Sequence, residues 1–197
     1  MVEDILEVKV KDLADRSRSF KVGNIIYLTG DIAIARDQTH KRLRKTSFFI
    51  KDIVGLPVYH CGPIAIKKRG RFRFLGAGPT TSKRMEKYIE QMILKYHTPV
   101  FIGKGGFDEV GRATLKKYGA FYCEFTGGAS AYAIAKIVRV LKIFFEDLGT
   151  SEALWVVSVK DFGPLLVTQD SEGNDYRLKM HQTAIENIDR MLRKYGL

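Results

Sequence analysis

The sequence predicts an α/β fold in which a β-rich first third is followed by a βαβ-type middle. Two observations carry that expectation. Up to Leu75, short alternating or apolar runs are separated by Gly, Pro and Asp turns, as strands and hairpins are. From Pro79 on, segments with apolar residues at three- and four-residue steps alternate with short, wholly apolar runs. That alternation implies parallel strands joined by right-handed helical crossovers. The length of 197 residues suits one domain, 1–197, with a helical tail at about 180–197, and is enough to bury a core.

Taken in order, residues 5–10 alternate apolar and charged side chains after Ile5, as a half-buried strand does. Residues 13–20 read as a short polar connection, and 24–29 as a strand ended by Gly30-Asp31. Asp37 or Thr39 starts a short basic helix through Lys45, with Arg36 at the junction, where a rigid scaffold presents binding groups. Residues 57–61 form a strand, and Gly62-Pro63 turns the chain into a hairpin over 64–75 with the basic tip Lys67-Lys68-Arg69-Gly70-Arg71. A helix over about 82–97 buries Met85, Ile89, Met92, Ile93 and Tyr96, and leads to a strand at 100–103. Asp108 caps a helix through Tyr118-Gly119, and a strand follows at 120–125. A helix of small residues at 129–140 precedes a strand at 142–145. Strands at 153–159 and 164–168 include Trp155 as a core residue, with a turn at 171–174. The tail over 183–194 sets Ile185, Ile188, Met191 and Leu192 on one face and reads as a docking helix.

Composition narrows the function. Hydrophobic content of 45% and charged content of 28% are those of an ordinary soluble protein. No apolar run approaches the ~18 residues of a membrane span, and the acidic start lacks a signal-peptide core, so a cytoplasmic protein is expected. The net charge of +11 favours anionic partners: nucleic acid, an acidic protein face or a small anionic substrate. Cys61 and Cys123 stand alone, and His40, His60, His97 and His181 lack ligand spacing, so no metal site is expected in this chain. Metal chemistry must come from a partner.

The chemistry concentrates in Gly76-Ala77-Gly78-Pro79-Thr80-Thr81-Ser82-Lys83-Arg84. Pro79 presets a helical φ, and Thr80 or Thr81 is placed to cap the first turn. The free N–H groups of a helix start attract anions. Four residues apart, Thr80 and Arg84 stack on one helical face, setting a hydroxyl beside a guanidinium, which suits a carboxylate substrate. Lys104-Gly105-Gly106 and Thr126-Gly127-Gly128 fall at strand ends that face the same crevice, where open α/β sheets bind ligands.

These residues resemble a known family, the β subunits (or C-terminal domains) of class I fumarate hydratases and the related L-tartrate dehydratases. The resemblance runs in order through Tyr27-Leu28-Thr29-Gly30, Ala35-Arg36-Asp37, His40-Lys41-Arg42, Gly62-Pro63 and Gly76-Ala77-Gly78-Pro79-Thr80-Thr81-Ser82 with Arg84-Met85. It continues through Ile102-Gly103-Lys104-Gly105, Tyr118-Gly119-Ala120, Gly127-Gly128-Ala129 and Glu146-Asp147-Leu148-Gly149, spanning about residues 20–175. The segment 149–153 is one residue longer than the family spelling, and the tail beyond about 176 matches no motif.

The resemblance implies a swivelling β/β/α three-layer domain that is half of an enzyme. A separate α subunit would carry a [4Fe–4S] cluster on three cysteines, and the pair would dehydrate (S)-malate reversibly to fumarate as a cytoplasmic hetero-oligomer. By the same resemblance Thr80 is the catalytic base, working with a carboxylate of the α subunit. Arg36, Arg84 and Lys104 are the substrate-binding residues, with Gly78, Thr81 and Gly105 in support. L(+)-tartrate dehydratase is the nearest alternative. A phosphate-binding module using the Gly-rich strand ends, or an RNA-binding protein using the 67–73 tip, are more distant ones; no RNA motif supports the latter.

Overall fold

Alternating apolar residues place Ile5–Lys9 (β1) alongside Ile25–Ala35 (β2), with the helical turn Leu13–Arg16 (α1) between them. The elements that follow are Asp37–Lys45 (α2), Val58–His60 (β3), the hairpin Ile64–Lys68 (β4) and Arg71–Gly76 (β5), and Glu86–Tyr96 (α3). Then come Val100–Gly103 (β6), Glu109–Tyr118 (α4), Phe121–Phe125 (β7), Ser130–Lys136 (α5), Ile137–Phe144 (β8), Leu154–Gln169 (β9) and Tyr176–Tyr195 (α6). The structure, a computed structural model, describes residues 4–195, and for residue 189 the backbone alone.

The result is a mixed α/β fold around a seven-stranded sheet of order β1-β2-β3-β6-β7-β9-β8. β1, β2, β3, β6 and β7 are mutually parallel, as the helix–strand alternation predicts. β9 runs antiparallel to β7 and also to β2, so the pairing closes into a ring β2-β3-β6-β7-β9. β8 adds to β9 as an edge strand. One apolar cluster includes Leu28, Tyr59, Ile102, Phe125, Trp155 and Phe162; a second includes Leu43, Ile89, Tyr96, Phe101, Leu115 and Tyr122. Trp155 is fully buried, with the rings of Phe72 and Phe74 edge-on at 4.9 Å each. Each such pair contributes about 0.5–1.5 kcal/mol beyond burial, so the β4–β5 hairpin is fastened to the sheet through one indole.

Several expected boundaries move. Gly30-Asp31 does not end β2: Gly30 takes φ +138 at a register shift against β9, and Val10 Cβ lies 2.8 Å from where a Gly30 Cβ would be. This is a glycine-permitted irregularity inside a longer strand. The "polar connection" at 13–20 carries fully buried Leu13 and Phe20. The small-residue helix stops at Lys136 rather than 140, because Ile137–Phe144 pairs with β9 and its β-branched residues suit a strand. The two strands expected at 153–159 and 164–168 are one 16-residue strand, β9, with the cis peptide Gly163-Pro164 inside it.

α6 starts at Tyr176, seven residues earlier than expected, and does not dock. Ile185, Ile188, Met191 and Leu192 are all exposed. By contrast, the predicted buried face of α3 and the turn before it (Met85, Ile89, Met92, Ile93, Tyr96) is buried throughout.

Candidate functional site

Parallel strands present their carboxyl ends at one edge of the sheet. Arg36 follows the end of β2, Cys61-Gly62 the end of β3, Lys104 the end of β6 and Thr126-Gly127-Gly128 the end of β7. The exit of β5, residues 76–82, is laid across this edge. Pro79 bridges to Cys61, and Thr80 N–H donates to the His60 carbonyl at 2.8 Å. Lys104 N–H donates to Thr80 O at 3.1 Å, and Ser82 N–H donates to Lys104 O at 2.9 Å. Thr80, Thr81 and Lys104 are thereby brought together as backbone neighbours between the ends of β3 and β6. Where Gly76 and Gly78 face α5, a Cβ would lie 2.8 Å from Ser130 Oγ and 3.4 Å from Ser130 Cβ respectively. This close packing ties the Gly-rich run to the β7–α5 loop.

The helix-start geometry expected for this motif is different from the one found. Residues 79–81 are extended, and the first helical turn is the 3₁₀ turn Ser82–Met85. Neither threonine caps it: Thr80 Oγ1 donates to His60 O at 3.0 Å, and Thr81 makes no side-chain cap. Thr80 lies outside the helix, so it does not stack on Arg84 by helical periodicity. The sheet-edge bonds outcompete the cap because they satisfy two backbone groups that burial would otherwise leave unpaired. Asp108 likewise starts α4 by position only. Its carboxylate pairs with Lys83 at 2.7 Å.

Arg84 reaches α2 instead. Its Nε and Nη2 each lie 3.1 Å from the two oxygens of Asp37, a fork-to-carboxylate pair. Arg36 Nε lies 3.5 Å from the same carboxylate and 3.3 Å from Glu152. Desolvation pushes the Asp37 pKa up, but Arg84 and Arg36 outweigh it and hold the group below the usual carboxylate range. Asp37 thus stands between the two predicted substrate-binding arginines. Arg36 also packs on Gly62, where a Cβ would meet its Nη1 at 2.7 Å. Lys104 is exposed and makes no ion pair among the described residues. Gly105 has φ +88, and its N–H points to Glu124 at 3.3 Å.

Beneath Thr80–Ser82 lies a buried polar cluster that sequence reasoning missed. Ser82 Oγ is 2.8 Å from His60 Nδ1 and accepts from Tyr122 Oη at 3.0 Å. His40 packs edge-on to His60 at 5.3 Å and stacks on Tyr88. Burial pushes His40 down to about 4 and His60 well below its ordinary range, so both rings are neutral near pH 7. The only signals available in the sequence were Ser82 inside the motif and Gly103 before Lys104. Neither announces a contact to His60.

The two thiols do not fit as cluster ligands. Both are buried in the core, and desolvation raises Cys61 to about 12 and Cys123 well above its usual range, which keeps them protonated. Among the described residues no group of three or more His, Cys, Asp or Glu side chains is placed to hold a metal ion. Nor is any helix among them long and apolar enough to cross a membrane. Two open grooves lie away from the strand ends, one of about 440 Å³ between β5, α5 and β8, the other of about 570 Å³ at the basic hairpin tip.

The fumarase C-terminus family matches residues 2–182. This chain belongs to that family. It is 34% identical over 169 residues to the L(+)-tartrate dehydratase subunit beta of Escherichia coli (strain K12), covering 85% of this chain and 82% of that one. It is 33% identical over 177 residues to a Geobacillus stearothermophilus protein named "Putative fumarate hydratase class I", covering 89% of this chain but 34% of that longer one. Family membership covers every strand end described above and stops inside α6.

Proposed function

We propose that this chain is the β subunit of a two-subunit class I fumarate hydratase that interconverts (S)-malate and fumarate plus water. The observation that supports this reading most is that Thr80 and Lys104 are backbone neighbours between the ends of β3 and β6, while Arg36 and Arg84 meet on the Asp37 carboxylate, in a chain of this family. A dicarboxylate needs a cation for each end, and arginine offers a planar fork for one of them. Charge-assisted hydrogen bonds of this kind contribute about 1.5–3 kcal/mol each. Asp37 is a stand-in carboxylate: it holds the Arg84 fork oriented before substrate arrives.

In this reading Thr80 Oγ1 takes the proton from carbon 3 while its own proton passes to a carboxylate of the α subunit, since an unaided hydroxyl is a weak base. The backbone bonds of Thr80 to His60 and Lys104 hold that oxygen in place. The resemblance assigns a [4Fe–4S] cluster to the α subunit, which would activate the departing hydroxyl as a Lewis acid. We also read the closed sheet with its helices as the swivelling β/β/α domain of the family, which brings this edge to the α subunit in a hetero-oligomer.

The names of the relatives favour a second reading, L(+)-tartrate dehydration, which uses the same residues and tolerates one more hydroxyl. The test is anaerobic co-expression with the candidate α subunit, each subunit assayed alone beside the complex. Turnover of malate in the complex only, exceeding that of L-tartrate, supports the fumarase reading. Faster tartrate turnover selects the alternative, and an assembled complex acting on neither refutes both.

A further inference from the structure

The loop joining β8 to β9 supplies the carboxylate nearest to Arg36. Glu152 Oε1 lies 3.3 Å from Arg36 Nε, closer than Asp37 at 3.5 Å. Its other oxygen, Oε2, accepts from the Gln38 N–H at 2.8 Å. The Glu152 carbonyl accepts from Thr39 Oγ1 at 2.6 Å, and that hydroxyl accepts in turn from the Arg36 N–H at 3.1 Å. One residue thus holds Arg36 twice, its backbone through Thr39 and its guanidinium through a carboxylate.

The loop that carries Glu152 is itself fixed. Ala153 N–H donates to Gly149 O at 2.9 Å, and the indole N–H of buried Trp155 donates to Thr150 O at 2.9 Å. Arg36 also packs on Gly62, where a Cβ would lie 2.9 Å from Arg36 Cδ and 3.1 Å from Ser151 O. The Arg36 side chain is therefore confined between the residue after the end of β3 and the Ser151-Glu152 pair.

The two arginines of the site are held differently. Arg84 commits Nε and Nη2 to hydrogen bonds with Asp37. Arg36 makes both of its ion contacts through Nε, which is buried and has no hydrogen-bond partner among the described residues. The inner edge of this guanidinium is covered, and what remains for an arriving carboxylate is its terminal fork. Fixing so long a side chain costs rotamer entropy, and a site that has already lost it binds its ligand more tightly. We propose that Glu152 is a positioning residue that holds the Arg36 fork ready for a substrate carboxylate. Its link to substrate rests on the reading of Arg36 as a substrate-binding residue, whereas the hold on Arg36 does not.

The test has two readouts. In the full chain, solvent exchange of the Arg36 Nε–H, identified by its loss in Arg36→Lys, is compared with that of the Trp155 indole N–H. Glu152→Gln keeps an oxygen for the Gln38 N–H and removes the charge facing Arg36. It should speed exchange at Arg36 Nε by about 10-fold or more and leave Trp155 as protected as in wild type. Glu152→Asp, which restores the charge, should recover part of the protection. In the complex with the α subunit, Glu152→Gln should raise KM about 10-fold for malate or L-tartrate, whichever is turned over, with a much smaller change in kcat. Unchanged exchange at Arg36 overturns the proposal. So does a parallel rise at Arg36 and Trp155, which would make Glu152 a brace of the loop alone. A KM at or below the wild-type value in an active complex also overturns it, because Glu152 would then compete with substrate. A wild-type complex inactive on both acids refutes the substrate reading instead, and the exchange comparison alone then decides whether Glu152 holds Arg36.

Discussion

Ser82 Oγ stands 2.8 Å from Nδ1 of His60, directly under the strand-like segment that carries Thr80. Tyr122 donates to the same oxygen at 3.0 Å. One hydroxyl therefore satisfies two buried polar groups on two different strands. Ser82→Ala leaves His60 Nδ1 unpartnered and takes away the acceptor of the Tyr122 hydroxyl, which keeps only its backbone bond at Gly106; the cost expected is about 1–3 kcal/mol for the orphaned imidazole. Urea unfolding should show the midpoint falling with an unchanged m-value; a midpoint at the wild-type position would remove the cluster's structural role.

Gly103 is the companion constraint. A Cβ there would lie 2.1 Å from Ser82 Oγ, 3.1 Å from Thr80 O and 3.2 Å from His60 Cβ. Gly103→Ala must push the 80–82 segment off the sheet edge, so stability and turnover in the complex should both fall steeply. Ser82→Ala/Gly103→Ala removes the closest clash. The double variant should be more stable than the sum of the single effects predicts, with a coupling of about 0.5–3 kcal/mol.

The buried histidines set an acid limit on stability. The folded pKa of His40 lies near 4, against 6.5 in the unfolded chain, so between those values the unfolded state binds more protons. Stability should be free of this penalty above about pH 6.5 and fall progressively toward pH 4. The loss is on the order of 3 kcal/mol for His40, with His60 adding in the same direction. Chemical denaturation across this range, with His40→Gln for comparison, checks it: the variant's curve should be flatter.

Asp37→Ala frees the Arg84 fork and removes an anion beside Arg36. Under the fumarase reading the arginine loses its orientation, and KM for malate should rise on the order of 10-fold with a smaller change in kcat. Steady-state kinetics of the assembled enzyme measure this split. A KM at or below the wild-type value would show that Asp37 competes with substrate and does not hold Arg84 ready for it.

Thr80→Ala keeps the backbone bonds to His60 and Lys104 and deletes the hydroxyl, with its bond to the His60 carbonyl, and one methyl group. Under the fumarase reading, kcat of the complex should fall by about 10²–10⁴, the usual contribution of a positioned acid–base group. Assembly with the α subunit should be unaffected. If turnover survives, the base is Thr81 or lies wholly on the α subunit.

Much of this was legible in the chain itself. The buried face of α3, the hairpin tip at Arg69-Gly70 and the parallel strands with glycine ends follow from local periodicity and turn chemistry. Arg36 and Lys104 stand out beside strand ends, and Thr80 and Arg84 within the 76–84 motif; their roles are implied by the resemblance and not by the pattern. What misled was local plausibility. Thr80 and Thr81 look like caps because nothing in nine residues reveals that the end of β3 offers Thr80 a better partner. The apolar stripe of α6 looks like a docking face because periodicity records that a face is apolar, not what covers it.

The sequence by itself determined the elements and the chemistry at hand, because propensity, periodicity and turn residues act within a few positions of one another. Only the tertiary structure decided which of those residues meet. Closing the ring through β9, joining Asp37 to Arg84 across 47 residues and joining His60 to Ser82 across 22 are long-range pairings. The ring closure and the His60–Ser82 contact draw their energy from filling a shared core and satisfying buried polar groups, and the Asp37–Arg84 pair from a charge contact at the surface, all of which exist only once distant segments are packed together.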